Sequence, residues 1–378
     1  MNRITADWLQ STAAQRVCLL LTDGGYQAWF VGGCVRNALL GEPVADLDLS
    51  TDAHPRDVIA LAQAADLKVI PTGIDHGTVT VISDGAPFEI TTFRRDVATD
   101  GRRATVAYAD NITDDARRRD FTINALYAAP DGQVVDPLGG LTDLMARRVR
   151  FIEDPDQRIK EDFLRILRFF RFYAWYGNPE EGPDADGLAA CAANLEGLKS
   201  LSVERVTAEI LKLLAAPDPA PALASMASTG ALAQVLPGAD AGMLAVLIHH
   251  EQALGVAANP LRRLAAIGGT PRQDLRLSKD QDRYLDHISG ALSPVETSYR
   301  FGLCTGQDKL LIEAAALGQE IDPNIKKSVQ EAAQKVFPLK AVDLMPALSG
   351  AALGHALKEA EARWIASGFT LTREQLLD

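Results

Sequence analysis

One stretch of the chain, Phe30 to Ser50 (FVGGCVRNALLGEPVADLDLS), restricts the possible fold and chemistry more than any other. Trp29, Phe30 and Val31 read as a short strand and Gly32-Gly33 as a turn. Cys34 to Leu40 reads as a helix ended by Gly41, and a second strand then carries Asp46 and Asp48. Side chains alternate across a strand, so the two aspartates share one face while Ala45, Leu47 and Leu49 point to the core. Adjacent carboxylates repel unless a cation lies between them. The glycines let the backbone pass close to a ligand, and the unpaired N–H groups that open the helix suit a phosphate. Arg36, one turn in, is placed to fork onto phosphate oxygens. A lone DxD is usually solvated charge and a lone Gly-Gly is only a turn. Together in one short unit they point to a nucleoside triphosphate with Mg²⁺.

Residues 6 to 23 show helical periodicity stopped by Asp23-Gly24-Gly25, and a further helix is expected from Pro55 to about Ala65. Lys68 to Ile70, Gly77 to Ile82 and Phe88 to Arg94 read as strands, the last two forming a hairpin. In the second hairpin strand Glu89 stands amid Phe88, Ile90 and Phe93, and an unpaired buried carboxylate is costly. A metal shared with Asp46 and Asp48 would offset that cost, and three carboxylates suffice for two Mg²⁺ ions roughly 3.5 to 4 Å apart. The following RRDVATDGRRATV reads as a mobile polar loop. In Arg117-Arg118-Arg119-Asp120-Phe121-Thr122-Ile123-Asn124, a charged cluster runs into an apolar segment, which sets Arg119 and Asp120 at the mouth of a cleft.

Glu161 to Tyr176 (EDFLRILRFFRFYAWY) reads as one helix, apolar almost all round but for Asp162, Arg165, Arg168 and Arg171 at three-residue spacing. A carboxylate acceptor beside a guanidinium donor can imitate a pairing partner for a cytosine or adenine edge, though an ion pair along the helix accounts for the same pattern. After Asp136-Pro137-Leu138-Gly139-Gly140 the chain is Ala- and Leu-rich with helical spacing to its end. An α+β head followed by a helical second half is expected.

Length and charge refine this reading. The 378 residues suffice for two or more domains. The net charge of −12 disfavours a nucleic-acid partner unless positive charge is concentrated locally, and Arg and Lys do concentrate between 94 and 171. Cys18, Cys34, Cys191 and Cys304 lack zinc-like spacing, so no disulfides are expected. His249-His250 lacks the spacing of a phosphohydrolase centre. With no apolar run of about 20 residues, no membrane association and a cytoplasmic location are expected.

The motifs VGGCVRNALLG with DLDLS, HGTVTV, FEITTFRRD, DGRR, RRRDFTINALY, DPLGGLTDL, EDFLRILRFFRF and LSVERVTAEI follow one another from about residue 28 to 214. In that order they resemble the class II tRNA nucleotidyltransferases (CCA-adding enzymes) and the related bacterial poly(A) polymerases. The resemblance implies a polymerase-beta-like nucleotidyltransferase head with a mixed sheet (1–140), a helical neck that recognises the base (141–215), and a helical body and tail that bind tRNA (216–378). It implies that Asp46 and Asp48 bind two Mg²⁺ ions, with Glu89 as a third catalytic acid. Gly32, Gly33, Arg36, Arg119, Asp120 and Asn124 would hold triphosphate and ribose. Asp162, Arg165 and Arg168 would choose between CTP and ATP, and Glu204 and Arg205 would brace the helices behind them. The activity implied is template-independent addition of CCA to tRNA 3′ ends, with a poly(A) polymerase or a partial CC- or A-adding enzyme as the alternative. Asn37 stands where the family usually has Asp, so the charge at that position differs.

Overall fold

The computed structural model describes residues 3–71, 73–100, 103–345 and 347–377, with backbone alone for 96–100 and 103–106. Contacts divide the chain into two compact units, Met1–Val235 and Leu236–Asp378. The first unit thus holds the expected head and neck together with residues 216–235.

Helix α1 (Thr12–Asp23) is capped by Ser11, whose hydroxyl accepts from the Ala14 N–H at 3.2 Å, and it buries Ala14, Val17, Cys18 and Leu21. Then come β1 (Trp29–Val31), α2 (Gly33–Leu40), β2 (Leu47–Thr51), α3 (Pro55–Ala64), β3 (Lys68–Ile70), β4 (Thr78–Ser83) and β5 (Ala86–Thr92). Asp84 (φ 48°) and Gly85 (φ 80°) close the β4–β5 hairpin in the left-handed region, the twist that two-residue hairpins require. Two short strands, β8 (Tyr127–Ala128) and β9 (Val134–Val135), complete a mixed seven-stranded sheet ordered β3-β4-β5-β2-β1-β8-β9. Its one parallel pairing, β2 with β5, sets Asp48 opposite Glu89.

The described parts of the expected polar loop, 94–100 and 103–106, are not loop. They form strands β6 (Arg94–Asp100) and β7 (Arg103–Tyr108), an antiparallel pair forming a separate two-stranded sheet. The Gly101-Arg102 tip lies outside the described residues. Helix α4 (Ile112–Arg117) follows, capped by Asn111.

From α5 (Gly140–Met145) onward the described elements are helical. In the first unit these are α6 (Pro155–Glu161), α7 (Leu164–Tyr176), α8 (Ala185–Ala193), α9 (Val203–Leu214), α10 (Ala220–Ser228) and α11 (Ala231–Val235). The single helix expected over Glu161 to Tyr176 is broken. Asp162 is extended (φ −155°, ψ 105°), and its carboxylate accepts from the Leu164 N–H at 3.1 Å, starting α7 afresh. Helix α7 packs against α9 and α10 and joins the head through aromatic contacts. The Phe121 ring lies 4.9 Å from Phe151 and 5.0 Å from Phe172, and Phe151 stacks on Phe169 at 5.4 Å.

The second unit is a bundle of helices around a buried ionic group. Arg262 bonds Glu251 at 2.7 Å and Asp308 at 2.6 Å, and Arg263 bonds Glu251 at 2.6 Å. Two cations there meet two carboxylates, which offsets the cost of desolvating all four. All four cysteines carry free thiols, and among the described residues no helix is long and apolar enough to cross a membrane.

Candidate active site

The chain leaves β1 through Gly32, whose backbone (φ 71°, ψ −119°) is closed to residues bearing a Cβ, and α2 begins at Gly33. A methyl group on Gly32 would lie 3.4 Å from Nη1 of Arg119, and one on Gly33 would lie 3.8 Å from Nη2 of Arg36. Each glycine thus keeps bare backbone beside a guanidinium at the opening of a helix, the chemistry of a phosphate cradle.

Arg36 is not the free fork that its spacing suggests. Its side chain is buried, with Nη1 donating to Asn124 Oδ1 and Nε and Nη2 donating to Asn37 Oδ1 at 3.1 and 3.0 Å. Nη2 also donates to the Tyr176 hydroxyl at 2.8 Å, and the guanidinium lies 4.0 Å from the centre of that ring. Burial lowers its pKa from the ordinary arginine value.

Asp46 is exposed just ahead of β2, and Asp48 is half-buried within it. Ala45 is exposed as well, because β2 starts two residues beyond it and strand alternation does not reach that far. Glu89 is exposed while Phe88 and Ile90 fill the opposite, buried face of β5, so its apolar neighbours in sequence are not its surroundings. Register places Glu89 alongside Asp48. Burial and then the Glu89 charge push the Asp48 carboxyl up to about 6, against the opposing pull of Arg119 and with a further push from Asp46.

Among the described residues no group of three or more His, Cys, Asp or Glu side chains is placed to hold a metal ion. The fit of a divalent cation here therefore rests on the aspartate pair. Hard oxygen donors, one of them raised in pKa by burial and by its carboxylate neighbours, suit Mg²⁺, which takes one or two carboxylates and completes its shell with phosphate and water oxygens.

Arg119 is held by Asp115 (3.1 Å), Ser50 Oγ (3.3 Å) and the Tyr127 hydroxyl (3.3 Å). Asp115, on α4, escapes a reading of the sequence by motifs. It is fully buried and also accepts from Arg118 Nε and the Tyr127 hydroxyl, both at 2.8 Å. Burial pushes its carboxyl up, but Arg119 and Arg118 more than reverse this and hold it well below the usual carboxylate range. The signal was present as an acid three and four residues ahead of two arginines.

Asp120 faces inward rather than toward solvent. It accepts from Asn124 Nδ2 at 2.9 Å and Arg168 Nε at 2.7 Å, and its pKa falls to about 2 because Arg168 and its hydrogen bonds outweigh burial. Arg168 thus sits on Asp120. Asp162 is ion-paired with Arg205 at 2.6 Å. Arg165 bonds Glu161 (2.5 Å) and the carbonyls of Arg158 (2.7 Å) and Arg118 (3.1 Å). The break at Asp162 takes it off the stripe, leaving Arg165, Arg168 and Arg171 at three-residue spacing on α7.

The arginines concentrated between 94 and 171 do not make a uniformly basic cleft. Arg95, Arg117, Arg118 and Arg158 line a cavity of about 230 Å³, but Asp114, Glu153 and Glu161 share its walls. Pairing within the fold explains how so basic a segment sits in an acidic chain.

Residues 28–150 match the model of the poly A polymerase head domain, and residues 184–243 match that of a probable RNA and SrmB-binding site of polymerase A. A CCA-adding enzyme of Levilactobacillus brevis is 39% identical over 219 residues, 57% of this chain and 53% of that protein. The chain spans about half the length of the curated relatives it matches. The Bacillus stearothermophilus CCA-adding enzyme in complex with CTP superposes with a TM-score of 0.73 at 27% identity, over 96% of this chain and 94% of that one. The fold is shared too with the Thermotoga maritima CCA-adding enzyme complexed with tRNA_CCA, with a TM-score of 0.68, 17% identity and coverage of 99% and 97%. Head and helices together share the architecture of these solved CCA-adding enzymes. The chain is thus similar to CCA-adding enzymes and, over residues 28–150, to the poly A polymerase head domain.

Proposed function

We propose that this chain completes tRNA 3′ ends by adding CCA from CTP and ATP in a Mg²⁺-dependent reaction, without a nucleic-acid template. The observation that carries the proposal is the glycine turn flanked by Arg36 and Arg119, next in the chain to the Asp46–Asp48 pair. The name of the Levilactobacillus brevis relative and the CTP in the Bacillus stearothermophilus structure support the choice of substrates. Asp46 and Asp48 would hold the metal, which when bound offsets phosphate charge and favours attack by the RNA 3′ hydroxyl. The chain's own part is positional. The open backbone at Gly32-Gly33 and the first N–H groups of α2 take the phosphates, and Arg119, fixed by Asp115, directs a donor at them. On this reading 1–140 catalyses, 141–215 selects the base and 216–378 holds tRNA.

Incubation with tRNA lacking its CCA end, Mg²⁺, and CTP, ATP or both tests this directly. Two residues added with CTP and three with both are expected; a long ladder with ATP alone would make the chain a poly(A) polymerase, and addition that halts at CC or needs a CC end would make it a partial enzyme.

Base choice is the second test. Asp162 offers a carboxylate acceptor, which a base edge would claim by displacing Arg205. Asp162→Ala should narrow the discrimination between correct and incorrect nucleotides by roughly ten- to a hundredfold, the worth of one well-placed base-edge contact. Unchanged ratios of kcat/KM for CTP and ATP at each position would remove Asp162 from base selection.

A further inference from the structure

Arg36 is a buried cation ringed by neutral groups. Its side chain makes four hydrogen bonds, to Asn37, Asn124 and Tyr176, and among the described residues no carboxylate pairs with it. The Asp120 carboxylate attracts it through space but is already ion-paired with Arg168. The Phe172 ring beside it, 5.2 Å away, also carries Arg168 at 5.2 Å and Arg171 at 4.5 Å, and those two already have their own partners, Asp120 and Glu209. Three guanidiniums thus share two carboxylates, and the surplus charge belongs to Arg36. A buried ion in that position is costly unless an anion arrives to meet it.

Asn37 sets this surplus. Its Oδ1 takes Nε and Nη2 of Arg36 as a carboxylate would, while its Nδ2 donates to the Pro43 carbonyl at 2.8 Å. A carboxylate lacks that donor, and it would neutralise Arg36 at hydrogen-bond distance.

We propose that Asn37 is a positioning residue for nucleotide affinity: its neutral amide orients Arg36 yet leaves the guanidinium charge uncompensated, held for a triphosphate at the Gly32-Gly33 turn. Arg36 then acts through space from beneath the turn, with Nη2 3.8 Å from where a Gly33 Cβ would lie. This rests on the nucleotidyl-transfer reading above and adds to it the source of the binding charge.

The test compares the full chain with Asn37→Asp and Asn37→Ala. The readouts are KM and kcat for CTP and ATP on tRNA lacking CCA, together with equilibrium binding of CTP and of inorganic tripolyphosphate. Asn37→Asp should raise both KM values and weaken tripolyphosphate binding by about tenfold with kcat within about twofold, because it cancels a charge felt by the ground state and the transition state alike. Asn37→Ala loses the Pro43 bond and both bonds to Arg36 but adds no charge, and should shift KM by no more than about threefold, clearly less than Asn37→Asp. Equal losses in the two variants would make Asn37 a structural brace, and an unchanged KM in Asn37→Asp would show that the charge does not reach the nucleotide; either overturns the proposal. Should Asn37→Asp not fold, Arg36→Gln removes the same charge outright, and tripolyphosphate binding that weakens by less than about threefold in it would overturn the proposal. A wild-type chain that incorporates neither CTP nor ATP would refute the nucleotidyl-transfer reading itself, whereas normal incorporation with wild-type KM in the Asp variant refutes this inference alone.

Discussion

Asp48→Asn should lower nucleotide incorporation at least about a thousandfold and, above pH 6, raise the melting temperature of the metal-free protein. The first effect follows from removing one of the two carboxylates available to a cation whose charge stabilisation supplies several kcal/mol to such a reaction. The second follows from the sign of the Asp48 shift. The carboxyl titrates near 6 in the fold against 3.8 ordinarily, so the folded state resists ionising it. That penalty is absent below about pH 4, grows as pH rises and is complete above about pH 6. Asparagine removes it at every pH, so a gain of a few degrees is expected at pH 7.5 and none at pH 4. Thermal melts of both proteins at the two pH values, with chelator present, measure the difference. Equal melting temperatures at pH 7.5 would show that Asp48 is not strained, and activity within tenfold of wild type would take it out of the metal site.

Asp115→Ala should destabilise the protein by about 3 to 5 kcal/mol, the usual cost of stripping one partner from a buried ion pair. Two guanidiniums and the Tyr127 hydroxyl would lose their common acceptor, a carboxylate that is itself fully buried. For a unit of this size that is a fall of roughly 10 °C, readable by calorimetry. Because the Asp115 carboxyl is held below its ordinary range, its contribution is complete above that range and fades as pH falls beneath it. The variant should accordingly lose less stability than wild type on acidification from pH 5 to pH 3. Asp115→Asn, which keeps an acceptor, should lose clearly less than the alanine variant. A shift of under about 2 °C for Asp115→Ala would mean that the arginines find other partners. Nucleotide KM should rise as well, since Asp115 fixes the guanidinium beside Gly32.

The parts of this site legible in the sequence are those whose geometry is local. A strand, two glycines, a helix and an aspartate pair within about twenty residues announce themselves because turn, helix opening and alternation all act over a few positions. What stayed hidden was set by contacts remote in sequence. Asp162 reads as helical until its carboxylate is seen to accept from Leu164 and to meet Arg205, forty-three residues on. Arg36 reads as a phosphate fork until Asn124 and Tyr176 close over it. Glu89 is the exception, for the rule that turns it outward while Phe88 and Ile90 fill the buried face is the local alternation of β5 itself. The run 94–106 reads as a loop by its polarity, yet its described parts lie in two strands that pair with each other.

Arg165 grips the carbonyl of Arg118, and the peptide after that carbonyl leads into Arg119. The side chain expected to judge the base therefore also pins the main chain that aims a donor at the phosphate turn. Such a shared tether limits how the site can diverge. A lineage that altered its nucleotide preference through position 165 would loosen its hold on the triphosphate in the same step, and compensation would have to appear around positions 118 and 119 before the new preference became useful. Substitutions at these positions should be strongly non-additive, so that preference and grip drift together or not at all.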